Sequence, residues 1–332
     1  MSKALIIGDG HFKATRLDLV VQFIDWLDKT IPEVDPDFIV YLGDFFHQHS
    51  IIKCEIMSLF DAHIRRNAQY QKYYILGNHD QFKPNDSKYH ALQTMKGVHP
   101  HFIVVDEILD VDDITMVPFI HDISKFPRKS HNIMFAHQTF IGADYGYTKA
   151  DAGVDAATVP AEIIISGHVH KRQSFGNVIY PGSSYAQSVN DIDQSKGVMV
   201  FNTETYKYSY IETTLPLWRS MKFELGPDYN TKDMHADLVA KVDSKNHWVI
   251  DIGGPKAEVV AYLDSKQFSA FKKDKHIRTR ANYTDTQKEQ IKIQAVTVDD
   301  IISSYVQKVY SGMLDKQTII NKALEIKKKA LL

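Results

Sequence analysis

Five short apolar runs in the first half of the chain each end in residues of the metal-ligand type, and no other feature limits the fold so severely. KALIIG leads into Asp9-Gly10-His11, FIVYL into Gly43-Asp44-Phe45-Phe46-His47, KYYIL into Gly77-Asn78-His79-Asp80, NIMFA into His137-Gln138, and EIIIS into Gly167-His168-Val169-His170. Runs this apolar read as strands of an α/β layered core, buried on both faces. Side chains just beyond the carboxyl ends of such strands converge on one crevice, so segments distant in sequence can build one site. Asp9, His11, Asp44, Asn78, His137, His168 and His170 would bring two carboxylates, one amide oxygen and four imidazoles to that crevice. That set is enough for two first-row divalent ions. A bridging Asp would hold them about 4 Å apart, where they lower the pKa of a water and clamp the attacking and leaving oxygens of a phosphoryl displacement. A lone histidine at a strand end is more often structural; the order and placement of all five segments outweigh that reading.

The neighbours of these segments suggest how a phosphate ester would be handled. His79 directly follows Asn78 and should project beside the metal pair, where a protonated imidazole stabilises phosphoryl charge or helps protonate the leaving oxygen. Asp80 is then a candidate to orient it, and His47 a candidate contact to substrate phosphate.

Between the strands, Leu17, Val20, Val21, Ile24 and Leu27 fall at helical spacing, and a second helical stretch with Ile52, Ile56, Leu59, Phe60 and Ile64 precedes KYYIL. After about residue 98 the strands crowd together, with a Gly- and Ala-rich loop near residues 142–158. Residues 1–215 therefore form one domain. Residues 216–298 read as a small α+β domain, with a helix from about Thr231 to Val242 and strands HWVIDIG, AEVVAYL and IKIQAV. Residues 299–332 are periodic helix former broken at Gly312. Cys54 is the only cysteine, which excludes a disulfide-stapled scaffold; it is expected inside a buried helix. An acid at position 9 interrupts the apolar N-terminus too early for a signal peptide, and no stretch is apolar enough to span a bilayer, so a soluble intracellular protein is expected.

The ordered set Asp-x-His, Gly-Asp, Gly-Asn-His-Asp, His and Gly-His-x-His resembles the calcineurin-like metallophosphoesterase superfamily. Within it the chain looks like nuclease subunits of recombination complexes, the SbcD type, its archaeal and eukaryotic meiotic-recombination relatives, and the recombination endonuclease subunit of large tailed phages. Gly43-Asp44 lacks the Asp-Arg-Gly that follows it in protein phosphatases, and the segment from YPGSSYAQ to WRSMKFEL resembles the passage into a capping domain. The resemblance implies a four-layer β-sandwich flanked by helices, with a small α+β cap. It assigns one metal to Asp9, His11, Asp44 and His170 and the other to Asp44, Asn78, His137 and His168, makes His79 the catalytic histidine, and places His47 on the DNA phosphate. Lys13 departs from the pattern, which commonly has glycine there. The implied cofactors are two divalent ions, manganese first, with magnesium as the alternative. The implied partners are DNA, a second copy of the chain through the helical stretch after residue 52, and an SMC-like ATPase of the SbcC type, with the C-terminal helices carrying Ile319, Ile320, Leu324 and Ile326 as its candidate docking segment. The setting would be the cytoplasm of a bacterial cell, the infected host if the gene is a phage's.

Lys and Arg number 39 against 41 Asp and Glu, a net charge of -2, so any polyanion must be met by a local patch. The candidates are Lys171-Arg172 beside His170, Arg128-Lys129, Arg65-Arg66, Lys125, and the run from Lys266 to Arg280 with Lys272 and Lys273. The leading expectation is a DNA exonuclease and endonuclease. Its rivals are a phosphodiesterase or phosphatase of small molecules and a DNA-end scaffold without essential chemistry.

Overall fold

The computed structural model describes residues 2–49, 51–83, 86–273, 275–284, 306 and 315–330. Met1–Asn282 make one compact unit and Tyr283–Leu332 another. The chain begins as β1 (Lys3–Ile7), α1 (Leu17–Val34), β2 (Phe38–Tyr41), α2 (Cys54–Arg66) and β3 (Gln71–Ile75). A hairpin of β4 (Gln81–Lys83) and β5 (Asp86–His90) follows, then β6 (Phe102–Val105), β7 (Leu109–Val111), β8 (Ile114–Val117), β9 (Ile133–His137) and β10 (Ile163–Gly167). The strands β11 (Gln173–Phe175), β12 (Val178–Tyr180), β13 (Gly197–Asn202) and β14 (Tyr208–Glu212) complete two six-stranded sheets. Their orders are β14-β13-β1-β2-β3-β6 and β11-β12-β10-β9-β8-β7.

The alternation of side chains along each strand decides how the sheets stack. Phe38 and Val40 of β2 face the second sheet and meet Ile133, Phe135, Ile163 and Ile165, while Ile39 and Tyr41 face the other way into the cluster of Phe23, Ile24, Leu27 and Phe60. The apolar stripes of α1 and α2 therefore cover the first sheet. The outer face of the second is covered by loops carrying Phe126, Phe140, Val154 and Val159 rather than by long helices. Within each sheet four successive strands are parallel: β1, β2, β3 and the edge strand β6 in the first, β12, β10, β9 and β8 in the second. A mixed α/β sandwich results, as expected.

A third, three-stranded sheet is built from β15 (Trp218–Glu224), β16 (His247–Gly254) and β17 (His276–Tyr283), with α3 (Thr231–Lys241), α4 (Lys256–Leu263) and α5 (Lys266–Lys272) between them. Here one expectation fails. AEVVAYL is helix α4, not a strand, because Pro255 sets the backbone at its start and Val259 and Tyr262, three residues apart, are the pair that buries. Cys54 also differs from expectation: it is the first residue of α2 and is exposed, while Ile56, Phe60 and Ile64 form the buried stripe. The predicted strand IKIQAV and the Gly312 break lie outside the described residues, as do the side chains of Leu324 and Ile326. The final helix, α6 (Lys316–Ala330), is present. Among the described residues no helix is long and apolar enough to cross a membrane.

One buried cation is unusual. Lys72 of β3 is 1% exposed and donates to the carbonyls of Asn67 (2.7 Å) and Tyr70 (2.6 Å), closing the turn after α2 without a carboxylate partner. Burial holds its ammonium down at about 8. An amine whose folded pKa lies below its unfolded value penalises the folded state fully below about pH 8, and the penalty fades as pH rises towards the unfolded value of about 10.4. The stability difference between wild type and Lys72→Met should therefore shift in favour of wild type between those limits, measured by urea unfolding across that range.

Candidate metal centre

The parallel strands of both sheets end at one edge, and the five segments meet there. His11 N–H donates to the Asp44 carbonyl (2.8 Å) and Phe12 N–H to that of Phe45 (2.7 Å), so the loops after β1 and β2 stay zipped together. His11, Asp44 and His168 all hold positive φ (42°, 54° and 82°). For non-glycine residues that conformation costs about 1–2 kcal/mol each, and such strain gathers at functional sites. Gly77 is required by proximity: a Cβ there would lie 2.2 Å from the Asp44 Oδ1. Lys13, at the position that departs from the resemblance, has ordinary extended backbone with φ -114°.

Asp44 occupies the middle. Its Oδ1 accepts the His79 backbone N–H (2.7 Å), while its Oδ2 faces His137 Nε2 at 3.3 Å and His11 Nε2 at 3.7 Å. On one side His11 Nε2 and His170 Nε2 lie 3.0 Å apart, with Asp9 Oδ2 3.4 Å from the latter. On the other, Asn78 Oδ1 lies 2.8 Å from His168 Nδ1 and 3.2 Å from His137 Nε2. Asp9 itself is fixed by the His168 backbone N–H at 3.0 Å. The geometry thus joins all seven expected ligands and divides them into two groups that share Asp44.

The donor chemistry fits two cations. His137 spends its Nδ1 proton on the Leu42 carbonyl (2.5 Å), which turns Nε2 inward as a ligand atom. Burial opposes charge on that ring, yet the Asp44 carboxylate outweighs it and pushes His137 up to about 9, a measure of how strongly this point favours positive charge. Burial holds His11 down at about 3 and His168 at about 4, so both are neutral at physiological pH, the ligating form. Burial also raises the two carboxylates, but the neighbouring imidazoles overcome it. His170, by hydrogen bond and charge, and His137 keep Asp9 below its ordinary value; His137 and His11 do the same for Asp44.

The residues around the ligands are placed less uniformly. His79 sits on the pocket wall, but its ring is not oriented by Asp80. Its Nδ1 donates to the His47 carbonyl (3.0 Å), and the ring of His49 stacks on it at 4.5 Å. Asp80 is fully buried and takes donors from Asp44 N (2.8 Å), Gly77 N (2.9 Å), Tyr74 OH (3.0 Å) and Phe46 N (3.3 Å). It braces the two metal-bearing turns against each other, which corrects the sequence expectation; burial and the charge of Asp44 push it up to about 7. His47 lines the pocket with an unpartnered Nδ1 and is held down at about 4 by burial and Lys13.

Among the expected cationic contacts, Lys171 lines the pocket, tied to Asp144 at 2.5 Å. Arg172 is committed elsewhere, to Glu212 (2.6 Å) and over the Tyr210 ring at 3.8 Å. Arg128 bonds Thr158, and it and Lys129 are exposed on the loop before β9. Lys272 and Lys273 are exposed at the end of α5, and none of these four lines the pocket. Arg65 and Arg66 pair with Asp61 and Asp28.

Three contributors escaped the sequence reading because nothing local marks them. Phe119 stacks on His168 at 5.7 Å, Gln187 donates to the Asp9 carbonyl at 2.9 Å, and Lys196 is a buried clamp. The Lys196 ammonium reaches Asp191 (2.6 Å), Ser183 Oγ (2.7 Å) and the His170 carbonyl (2.9 Å), locking the loop that follows β12 to a ligand.

The model of the calcineurin-like phosphoesterase family matches residues 2–172, the stretch that holds every ligand above. Protein 078R of Invertebrate iridescent virus 3, described as a phosphoesterase, is 23% identical over 230 residues, 64% of this chain and 66% of its own. This chain thus spans just under two thirds of that relative. Protein 244L of Invertebrate iridescent virus 6, also described as a phosphoesterase, is 29% identical over 220 residues, 60% of this chain and 76% of its own. A solved nuclease of Pseudomonas putida is 17% identical over 63% of this chain and 87% of that one, with a TM-score of 0.30.

Two outcomes follow for stability. Manganese should raise the melting temperature of the wild-type chain in thermal-shift measurements, and Asp44→Asn should lose most of that rise. Lys196→Met leaves Asp191 buried without its partner and should cost about 3–5 kcal/mol in urea unfolding.

Proposed function

The chain belongs to the calcineurin-like phosphoesterase family, and on that premise we propose that it is a DNA phosphodiesterase, acting as exonuclease and endonuclease within an end-processing complex. The observation that carries the reading is the pair of ligand groups sharing Asp44 at the floor of an open pocket of about 330 Å³. Asp9, His11, Asp44 and His170 would hold one divalent ion and Asp44, Asn78, His137 and His168 the other, manganese being the proposed metal. Such a pair supplies an activated water and electrostatic clamping of the reacting oxygens.

The chain's own residues would do the rest. His11 and His168, neutral, and Asp9 and Asp44, ionised, are preset as ligands. The His47 carbonyl fixes the His79 ring through Nδ1, leaving Nε2 to hand a proton to the leaving oxygen or to stabilise phosphoryl charge. His47 and Lys13 on the wall would meet a strand's non-reacting phosphate oxygens.

The remaining expectations are proposals of the same reading. Residues 1–215 would be the nuclease domain, 216–298 the cap and 299–332 the segment that docks an SMC-like ATPase. A homodimer is supported by Ile51 and Ile52, 56% and 40% exposed, which with Phe12, Phe46 and Ile56 line an apolar recess ahead of α2. A bacterial or infected-cell cytoplasm would be the setting.

With manganese, the purified chain should degrade single- and double-stranded DNA; His79→Ala should lose at least about a hundred-fold, on the scale of general acid–base contributions, and Asp44→Ala, which removes the ligand shared by both groups, should lose at least as much. Hydrolysis of cyclic nucleotides with no cleavage of DNA, even with an ATPase partner, would transfer the reading to small substrates.

A further inference from the structure

The metal pocket continues past its rim. Gln187 and Ser188 line it on one side and also line a second cleft of about 640 Å³, walled by Arg16, Trp218, His247, Lys275, His276 and Arg278. Among the described residues no carboxylate lines this cleft. Its cations are held by other means: Arg16 donates to the Gln187 carbonyl (2.8 Å), Lys275 lies over the Phe271 ring (4.7 Å), and Arg278 lies over Trp218 (4.9 Å). Among the described residues none of the three pairs with an acid. In a chain of net charge -2, three cations gathered on one wall make a local patch suited to an anion.

The flat groups beside them are ordered. Trp218 and His247 are directly opposed on β15 and β16, and their rings stack at 4.8 Å with planes 26° apart. His276 of β17 lies next, its ring 4.8 Å from that of His247 with the planes tilted by 52°, and is itself exposed. The Trp218 Nε1 is buried without a hydrogen-bond partner. Burial, and then the charges of His276, Arg16 and Arg278, hold His247 below its ordinary value.

We propose that this cleft binds an unpaired DNA strand adjoining the scissile bond, with phosphates on Arg16, Lys275 and Arg278 and a base stacked on the exposed His276 end of the ring series. Cations without acids meet the phosphates, and a ring face open to solvent meets a base whose own face is free, which duplex DNA offers only at its ends. The shared Gln187–Ser188 wall makes one trough of the two sites, so the strand reaches the metals without leaving the protein. The assignment to DNA rests on the nuclease reading above, while binding in the cleft needs neither metal.

The test uses the full chain carrying His79→Ala, so that the strand is held rather than cut, and fluorescence anisotropy of a labelled oligothymidylate. His276→Ala should weaken binding about five-fold or more, the low end for loss of one stacked base. Lys275→Ala with Arg278→Ala should weaken it about ten-fold and reduce the salt dependence by up to about two counterions. A strand carrying 5-iodouracil should cross-link to the peptide holding His276 or Trp218, a readout independent of these variants. Unchanged affinity and salt slope in both variants, or cross-links confined to other peptides, would overturn the cleft while leaving the nuclease reading intact if the wild type still cleaves DNA. A wild type that neither binds nor cleaves DNA would overturn both.

Discussion

The Asp44 carboxylate is the contact on which the rest of the site depends. One oxygen is pinned by the His79 backbone, and the other lies between His137 of one ligand group and His11 of the other. To put it there, the chain accepts positive φ at Asp44 itself and a glycine at position 77 that no larger residue could replace. Asp80 then ties the same turn to its neighbour through four hydrogen bonds. Two buried carboxylates among imidazoles would be a costly arrangement if they faced only apolar protein. Facing imidazoles that hold both of them ionised, they form a preorganised centre with the donors to hold divalent ions, and strained backbone is its visible cost.

Much of this was legible in the sequence, for a definite reason. Strands that are apolar on both faces announce a parallel sheet, and parallel strands must deliver their carboxyl ends to one edge, so Asp9, Asp44, Asn78, His137 and His168 could be assembled without coordinates. Periodicity likewise revealed α1, α2 and α3. Orientation was not legible. Asp80 adjoins His79 in the chain, which suggested a partnership, but the turn sends its carboxylate into the core and leaves the ring to the His47 carbonyl. Arg172 lies two residues after His170 and yet its guanidinium faces Tyr210 and Glu212. Residue type and spacing carry no record of which way a loop turns.

Tertiary partners account for the other differences. AEVVAYL is as apolar as a strand, but Pro255 and the packing of Val259 and Tyr262 make it helical. Lys196 looks like any surface lysine in sequence, and only the meeting of Asp191, Ser183 and the His170 carbonyl makes it a buried clamp. Near-neutral composition concealed the cleft beside the third sheet for the same cause. Charges that cancel over the whole chain are separated in space, and Arg16, Lys275 and Arg278 line one cleft with no carboxylate among its described lining residues.

The central claim is that one carboxylate joins two cation sites. Anomalous diffraction at the manganese edge, from crystals grown with manganese, tests it most directly. Two peaks per chain are predicted, one beside Asp9, His11 and His170, the other beside Asn78, His137 and His168, with Asp44 touching both. A single peak, or peaks that leave Asp44 uncoordinated, would rule out a shared carboxylate.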